Sequence, residues 1–437
     1  MTRWIGDAFA STTSMDLLET LVDVSPRLAG SEGERNGAEA TRDVLASVGA
    51  RNAHLSEYDI QGWTRGSSRV VAGGDEQDCI ALPRSPSDEA TAELVDVGYG
   101  TPEEYEAADV DGKVVMARSD VPSHHDRYIH RREKYYYAVE GGAVAFIYRN
   151  HVEGQLPPTG SVGTNDDPIG DIPAVGVSSE VGARLARRYD GEEVTVEVDA
   201  EVHDATSRNV HAELGPDTDE QVLVTSHVDA HDIAEGAMDN GAGTAVLVGI
   251  AEALAAREDE LDTRVHFIAY GSEEVGLVGS SHYADRTDHD AIKAIVNNDG
   301  VGRARDLQLL THGFPELEDA AATVSERFDH PIHAVPRQGP HSDHWPFVKW
   351  GVPGYHASSA SGEQGRGWGH THADTLDKVD SRDLRTHSIL LADLTVELAA
   401  DGFEVAHRAP EEIARALEQQ NKAEGMKVIG DWPYDDE

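Results

Sequence analysis

Seven residues in the second half of the chain carry imidazole or carboxylate groups in a pattern that could do chemistry: His227, Asp229, Asp239, Glu273, Glu274, Asp299 and His370. All but the last fall directly after an apolar stretch that reads as a β-strand, or in the loop that follows one. The set contains no cysteine and mixes nitrogen with oxygen donors, which suits zinc, cobalt or manganese and serves magnesium alone poorly. Taken singly, each piece is weak. His227-x-Asp229 after the strand VLVTS is most often a surface coincidence, and Asp239 among the glycines of EGAMDNGAG reads by itself as a helix N-cap on a flexible turn. The pair Glu273-Glu274 leaves a strand end in two directions, so one carboxylate could ligate while the other handles a proton, yet acidic pairs are common in so acidic a chain. Asn298-Asp299-Gly300 alone reads as a turn, and His370 in HTHADT as a loop histidine. What carries weight is their order and shared placement at strand ends.

Those placements need elements to hold them. From about residue 205 the chain alternates apolar, β-rich segments (QVLVTSH, TRVHFIAYG, AIKAIVNND, VPGYHAS) with helical ones (GTAVLVGIAEALAAR, a helix near 315–328 and another at 381–400). Such alternation predicts an α/β fold with a mainly parallel, mixed sheet flanked by helices. In open sheets of that kind the carboxyl ends of the strands line the ligand crevice, where residues distant in sequence converge. Apolar periodicity also predicts helices at 14–25 and 34–48, separated by the turn- and cap-forming SPRLAGSEGE. Between about 60 and 200 the texture is of short strands and turns, which reads as a smaller α/β, β-rich unit. The domain reading is an N-terminal part of the main domain at 1–60, an insert at 61–202, the main domain at 203–405 and a polar, partly helical tail at 406–437.

Composition narrows the partners. The chain has 437 residues, 81 of them acidic and 36 basic, for a formal charge of −45. That excludes nucleic acid and anionic membrane surfaces as partners at ordinary salt. Only seven of the basic residues are lysines. An acid-rich, lysine-poor surface fits a protein working in concentrated salt, where the Debye length falls to about 3 Å. The single cysteine, Cys79, rules out an intramolecular disulfide framework and a cysteine zinc site, and is expected to be a small buried hydrophobe. No leader-like segment and no run of about 18 apolar residues stands out, so a soluble, cytoplasmic protein is expected.

The motifs HVDAH…EGAMDNGAG, GSEEVGL, NNDG, SDHWPF and HTHADT, in that order, resemble the M28 family of co-catalytic, zinc-dependent metallopeptidases over roughly residues 203–400. The stretches AELVDVGYGTPEEY, VDGKVVMARS, EGGAVAFIYRN and IPAVGVS resemble the protease-associated (PA) domain that many members carry as an insertion. The resemblance implies a zinc-peptidase-like fold and two divalent metal ions, zinc first with cobalt or manganese as alternatives. His227 and Asp299 would hold one ion, Glu274 and His370 the other, and Asp239 would bridge them. Three carboxylates against two dications leave one positive charge, which a hydroxide neutralises; the metals would activate that water and polarise the scissile carbonyl. Glu273 would carry its proton to the leaving amine as general base, and Asp229 would orient His227 from behind.

The resemblance departs at one point. Certain relatives place a tyrosine shortly before Ser-Asp-His, where this chain has Gly339-Pro340-His341. That leaves His341, or the metals alone, to stabilise the oxyanion. Ser342, Asp343 and His344 are contiguous and so cannot line up as a serine-hydrolase trio; a supporting role for Asp343 and His344 is expected. His124, His125, Asp126 and His130 read as a polar loop of the insert, and Tyr135-Tyr136-Tyr137 as its core. The leading function is hydrolysis of peptide bonds at a chain end by an aminopeptidase. A dipeptidase or carboxypeptidase related to carboxypeptidase Q, and a receptor-like scaffold without metals, are the alternatives. Retention of every ligand-type residue argues against the scaffold, and the insert with a complete two-metal set argues against a glutaminyl cyclase-like transferase.

Overall fold

A computed structural model describes residues 3–125, 127–360 and 367–434. The chain divides into two compact units, one made of 1–60, 205–369 and 374–416 and the other of 61–204, 370–373 and 417–437.

The first unit is built on a mixed sheet. Four strands at its centre run parallel in the spatial order Arg264–Tyr270, Gln221–His227, Ile292–Asn298 and Gly354–Ser359. Antiparallel pairing appears only toward the edges, where Leu307–Leu310 lies against Gly354–Ser359 and residues 210–214 lie against Arg264–Tyr270. Every residue of Gln221–His227 and of Ile292–Asn298 is buried, as expected of parallel strands covered on both faces. Helices Thr13–Asp23, Ala242–Ala255 and Ser381–Ala399 contribute to the core that covers this sheet. Ala242–Ala255 is apolar nearly all round, which marks an interior helix rather than a surface one. Helix Glu32–Ser47 starts at Ser31, whose hydroxyl accepts the N–H of Glu34. The expected helix near 315–328 is Pro315–Phe328, with proline in its first turn.

The second unit has four parallel strands, Asp88–Asp96, Val114–Arg118, Ala145–Arg149 and Ala174–Val177, with Ile80–Ala81 antiparallel at one end and residues 193–198 antiparallel at the other. Tyr135 and Tyr136 are buried in its core beside Phe146 and Tyr148, and Tyr137 packs against that core. Ile429, just after helix Ala423–Val428, is buried in the same cluster. His130 caps helix Arg131–Glu140 by accepting the N–H of Arg132; Asp126 lies outside the described residues. Cys79 is half-buried, and burial pushes its thiol up to about 11.

Two strands depart from the expected run of short ones. Arg51–Ala72 and Glu193–Leu214 each extend over 22 residues, and the chain passes from one unit to the other within each. A Cβ at Gly66 would fall 2.5 Å from the carbonyl oxygen of Asp199, so the glycine admits a close backbone approach inside a continuous strand. Among the described residues no helix is long and apolar enough to cross a membrane.

Candidate active site

Two parallel strand ends of the first unit set the site. His227 is the last residue of its strand and pairs in register with Tyr270, so the segment carrying Glu273 and Glu274 leaves the sheet beside it. Asp229, two residues on, is wholly buried. Its carboxylate accepts the backbone N–H groups of Glu273 and Glu274, at 3.0 and 3.2 Å, and so fixes the main chain from which both glutamates project. Asp229 also meets His227, through its backbone carbonyl at 3.1 Å from Nδ1, with its carboxylate at 3.4 Å. A carbonyl can only accept, so Nδ1 carries the proton in the neutral ring and Nε2 presents its lone pair to the cluster.

Asp239 is placed by an equivalent device. The residues after Gly236 make one wide, irregular turn in which Asp239 is extended (φ −128°, ψ 92°), and the regular helix begins only at Ala242. Asp374 accepts the N–H groups of Met238 and Asp239, at 2.6 and 3.1 Å. Asp299 follows strand Ile292–Asn298; its Oδ2 accepts from Ser342 Oγ at 2.7 Å, and Ser342 in turn accepts from Asn297 Nδ2 at 2.7 Å.

The donors converge on His227. Its Nε2 is buried and has no hydrogen-bond partner, standing 3.6 Å from Asp239 Oδ1 and 4.0 Å from both Glu273 Oε2 and Asp299 Oδ1. Those separations are too long for hydrogen bonds. They suit donors that share a cation, since ligand atoms each about 2.0–2.2 Å from zinc stand roughly 3–4 Å from one another. Among the described residues, two of the three-residue groups that bring one ligand atom per residue within 4.8 Å centre on His227: His227–Asp239–Asp299 and His227–Glu273–Glu274. Electrostatics agree. Burial opposes a charge on His227, yet Glu273, Asp229 and Asp239 outweigh it and hold the imidazole well above its usual range. Burial, with Glu274 and Asp299 adding to it, pushes the Glu273 carboxyl well above the ordinary range against the pull of His227. Negative charge is packed here in excess of what the imidazoles balance, and divalent cations fit this donor set.

The remaining candidates are His370, Asp343, His344 and His341. His370 has a left-handed backbone (φ 58°) and lies in the short piece 370–373 that groups with the second unit, where its carbonyl accepts the N–H of Thr159 at 2.8 Å. Asp343 is fully buried, and burial reinforced by Asp229 and Asp299 pushes it up to about 8. His344 is also buried, its ring 4.8 Å from that of His312 and 5.1 Å from that of His356; burial holds it well below the usual range. His341 is exposed. Three residues of the site were not singled out from sequence. His231 Nε2 lies 2.9 Å from Glu274 Oε2, and its signal was present as the second histidine of HVDAH. Arg303 places Nη2 3.1 Å from Asp239 Oδ2. Asp374, the third, sits two residues beyond His372 in HTHADT.

Known proteins carry the same architecture. The sequence pattern of peptidase family M28 matches residues 209–395, and that of the PA domain matches residues 90–185. Aminopeptidase YwaD of Bacillus subtilis is 27% identical over 425 residues, covering 93% of this chain and 87% of its own. Carboxypeptidase Q of Bos taurus is 29% identical over 293 residues, covering 63% of this chain and 61% of its own. Among solved structures, the aminopeptidase from Aneurinibacillus sp. strain AM-1 superposes with a TM-score of 0.69 at 27% identity, covering 93% of this chain and 98% of that one. With the strand-end donors above, residues 209–395 match peptidase family M28 and residues 90–185 match the PA domain.

Proposed function

We propose that this protein is a di-metal exopeptidase that hydrolyses the peptide bond at a chain terminus, acting as an aminopeptidase. The observation that carries the reading is His227 Nε2, a buried ring nitrogen with no hydrogen-bond partner, 3.6–4.0 Å from three carboxylates. His227 and Asp299 are the residues to hold one ion, Glu274 and His370 the other, with Asp239 shared between them. Zinc, cobalt or manganese bound there would supply Lewis acidity to the scissile carbonyl and acidify water. Glu273, less buried than Asp239, Glu274 and Asp299, takes the proton of the attacking water and returns it to the leaving amine. Asp229 holds Glu273 and Glu274 in place by their backbone N–H groups and fixes the tautomer of His227.

The aminopeptidase reading draws on the similarity to aminopeptidase YwaD of Bacillus subtilis. A carboxypeptidase or dipeptidase is the second reading. It draws on the similarity to carboxypeptidase Q and on Arg303, a buried guanidinium beside Asp239 of the kind a terminal carboxylate pairs with. A panel of free, N-acetylated and C-amidated peptides, with products read by mass spectrometry, decides. N-acetylation alone blocks an aminopeptidase, amidation alone blocks a carboxypeptidase, and a dipeptidase accepts neither blocked form. A zinc-loaded protein that cleaves none of them sinks the enzymatic reading.

A further inference from the structure

Arg27 is wholly buried in the first unit, far in sequence from the ligands. Its Nε donates to the carbonyl of Val228 at 3.0 Å and its Nη2 to that of Gly236 at 2.9 Å. Nη1 meets the carbonyl of Glu235 and the hydroxyl of Ser25, both at 2.9 Å, and the carbonyl of Leu21 at the end of helix Thr13–Asp23. The Ser25 hydroxyl donates onward to Glu235 O at 2.8 Å, and the Arg27 carbonyl accepts the N–H of Ala230 at 3.0 Å. One side chain therefore ties both ends of residues 228–236 to the N-terminal helices. The backbone comes so near that a Cβ at Gly236 (φ 61°) would stand 2.3 Å from Ala230 Cβ and 3.1 Å from Arg27 Nη2.

We propose that Arg27 is a positioning residue for the metal site: its guanidinium fixes the 228–236 segment, which carries Asp229 and His231 and delivers Asp239. The proposal rests on the di-metal reading above. Charge supports it independently of shape, because Asp229 and Asp374, the two aspartates that hold the backbone of the ligand-bearing segments, are the neighbours whose charge sustains Arg27 against burial. Lysine cannot do the same work, since an ammonium is a point of charge and cannot span carbonyls on three separate segments as a planar fork does.

The test compares wild type with Arg27→Met, Arg27→Lys and Ser25→Ala as full chains. Zinc affinity is measured by competition with a chromogenic chelator, at a temperature where circular dichroism shows each metal-free protein folded. We expect Arg27→Met to bind zinc about 10–100-fold more weakly, as is usual when the support behind a ligand is lost. Arg27→Lys should recover part of the loss, and Ser25→Ala, which removes one anchor and leaves the guanidinium, should weaken binding by a few-fold. A residue that only stabilises the fold would lower the melting point and leave affinity per folded molecule unchanged; that result in Arg27→Met overturns the proposal. Should Arg27→Met not fold, wild-type affinity in both Arg27→Lys and Ser25→Ala overturns it. Failure of the wild type itself to bind zinc tightly would instead sink the di-metal reading.

Discussion

Asp374 holds Asp239 by its main chain: one carboxylate oxygen accepts the N–H of Asp239 at 3.1 Å while the other accepts that of Met238 at 2.6 Å. Asp229 does the same for Glu273 and Glu274. Two buried aspartates thus each present both oxygens to consecutive N–H groups, and each pair ends on a proposed ligand. Asp374→Asn keeps the shape and turns one acceptor into a donor that faces an N–H, leaving a buried pair unsatisfied at a cost of about 1–3 kcal/mol. We expect the variant to fold with a lowered melting point and to lose its second equivalent of zinc on dialysis. Retention of both equivalents through dialysis would show that the Asp239 backbone needs no such support.

The two adjacent glutamates should part company under mutation. Glu273→Gln removes the basic carboxylate and keeps the shape, so metal content should persist while kcat falls by roughly 10²–10⁴-fold, the usual worth of a general base. Glu274→Gln should instead reduce metal content, because a neutral amide replaces a carboxylate proposed to hold one ion. Metal analysis alongside steady-state kinetics separates the two. Full metal and near-normal turnover in both variants would contradict the assignment.

What was legible in sequence follows from range. The central strands were readable because strands buried on both faces appear as unbroken apolar runs, and Pro315–Phe328 because a proline opens it and its apolar residues recur at helical spacing. The candidate donors other than His370 stood out because each follows such a strand or lies in the loop after one. Arg27, Asp374 and the 2.9 Å contact of His231 with Glu274 were not, because each acts on residues tens to hundreds of positions away and leaves no local period. The grouping of 417–437 with the second unit was equally hidden, since its anchor in the core, Ile429, lies in a short, mostly polar tail with no apolar period that names its partner. The length of strand Arg51–Ala72 was hidden too, because its partner Glu193–Leu214 lies far away in the sequence.

His387 gives an acid-stability test at a residue outside the proposed ligand set. Its Nε2 donates to the carbonyl of Arg305 at 3.0 Å and its Nδ1 accepts the N–H of Gly302 at 3.1 Å, so a second ring proton would point at a donor. Burial accordingly depresses the imidazole to about 4. The unfolded chain, with a histidine near 6.5, binds a proton that the folded protein refuses, so this residue's contribution is whole above about pH 6.5 and is lost as pH falls toward 4. Over that window the loss reaches about 3 kcal/mol at about 1.36 kcal/mol per unit. His387→Gln should be less stable than wild type at pH 7 and should lose less on acidification. Denaturant melts at pH 7, 6, 5 and 4 measure the difference, and parallel curves for the two proteins would rule the mechanism out.

Acidity gives the last prediction. With 81 acidic against 36 basic residues, at least 45 carboxylates have no basic partner even if every cation is paired. At low ionic strength these charges repel one another and destabilise the compact state. Raising salt from dilute buffer to the molar range shortens the Debye length from about 30 Å to about 3 Å and should relieve most of that repulsion. We therefore propose that the protein is adapted to a salt-rich cytoplasm, and we expect its melting point and its activity to rise together with potassium chloride. The ligand carboxylates would be neutralised by their own cations, so a melting series with zinc held saturating isolates the surface contribution. Surface ion pairs such as Arg69 with Glu197 are screened by the same salt and pull the other way, but they engage only a small part of the acidic excess. A midpoint that stays flat or falls as potassium chloride increases would sink the salt-adapted reading and leave the peptidase assignment standing, because the ligand geometry around His227 does not depend on it.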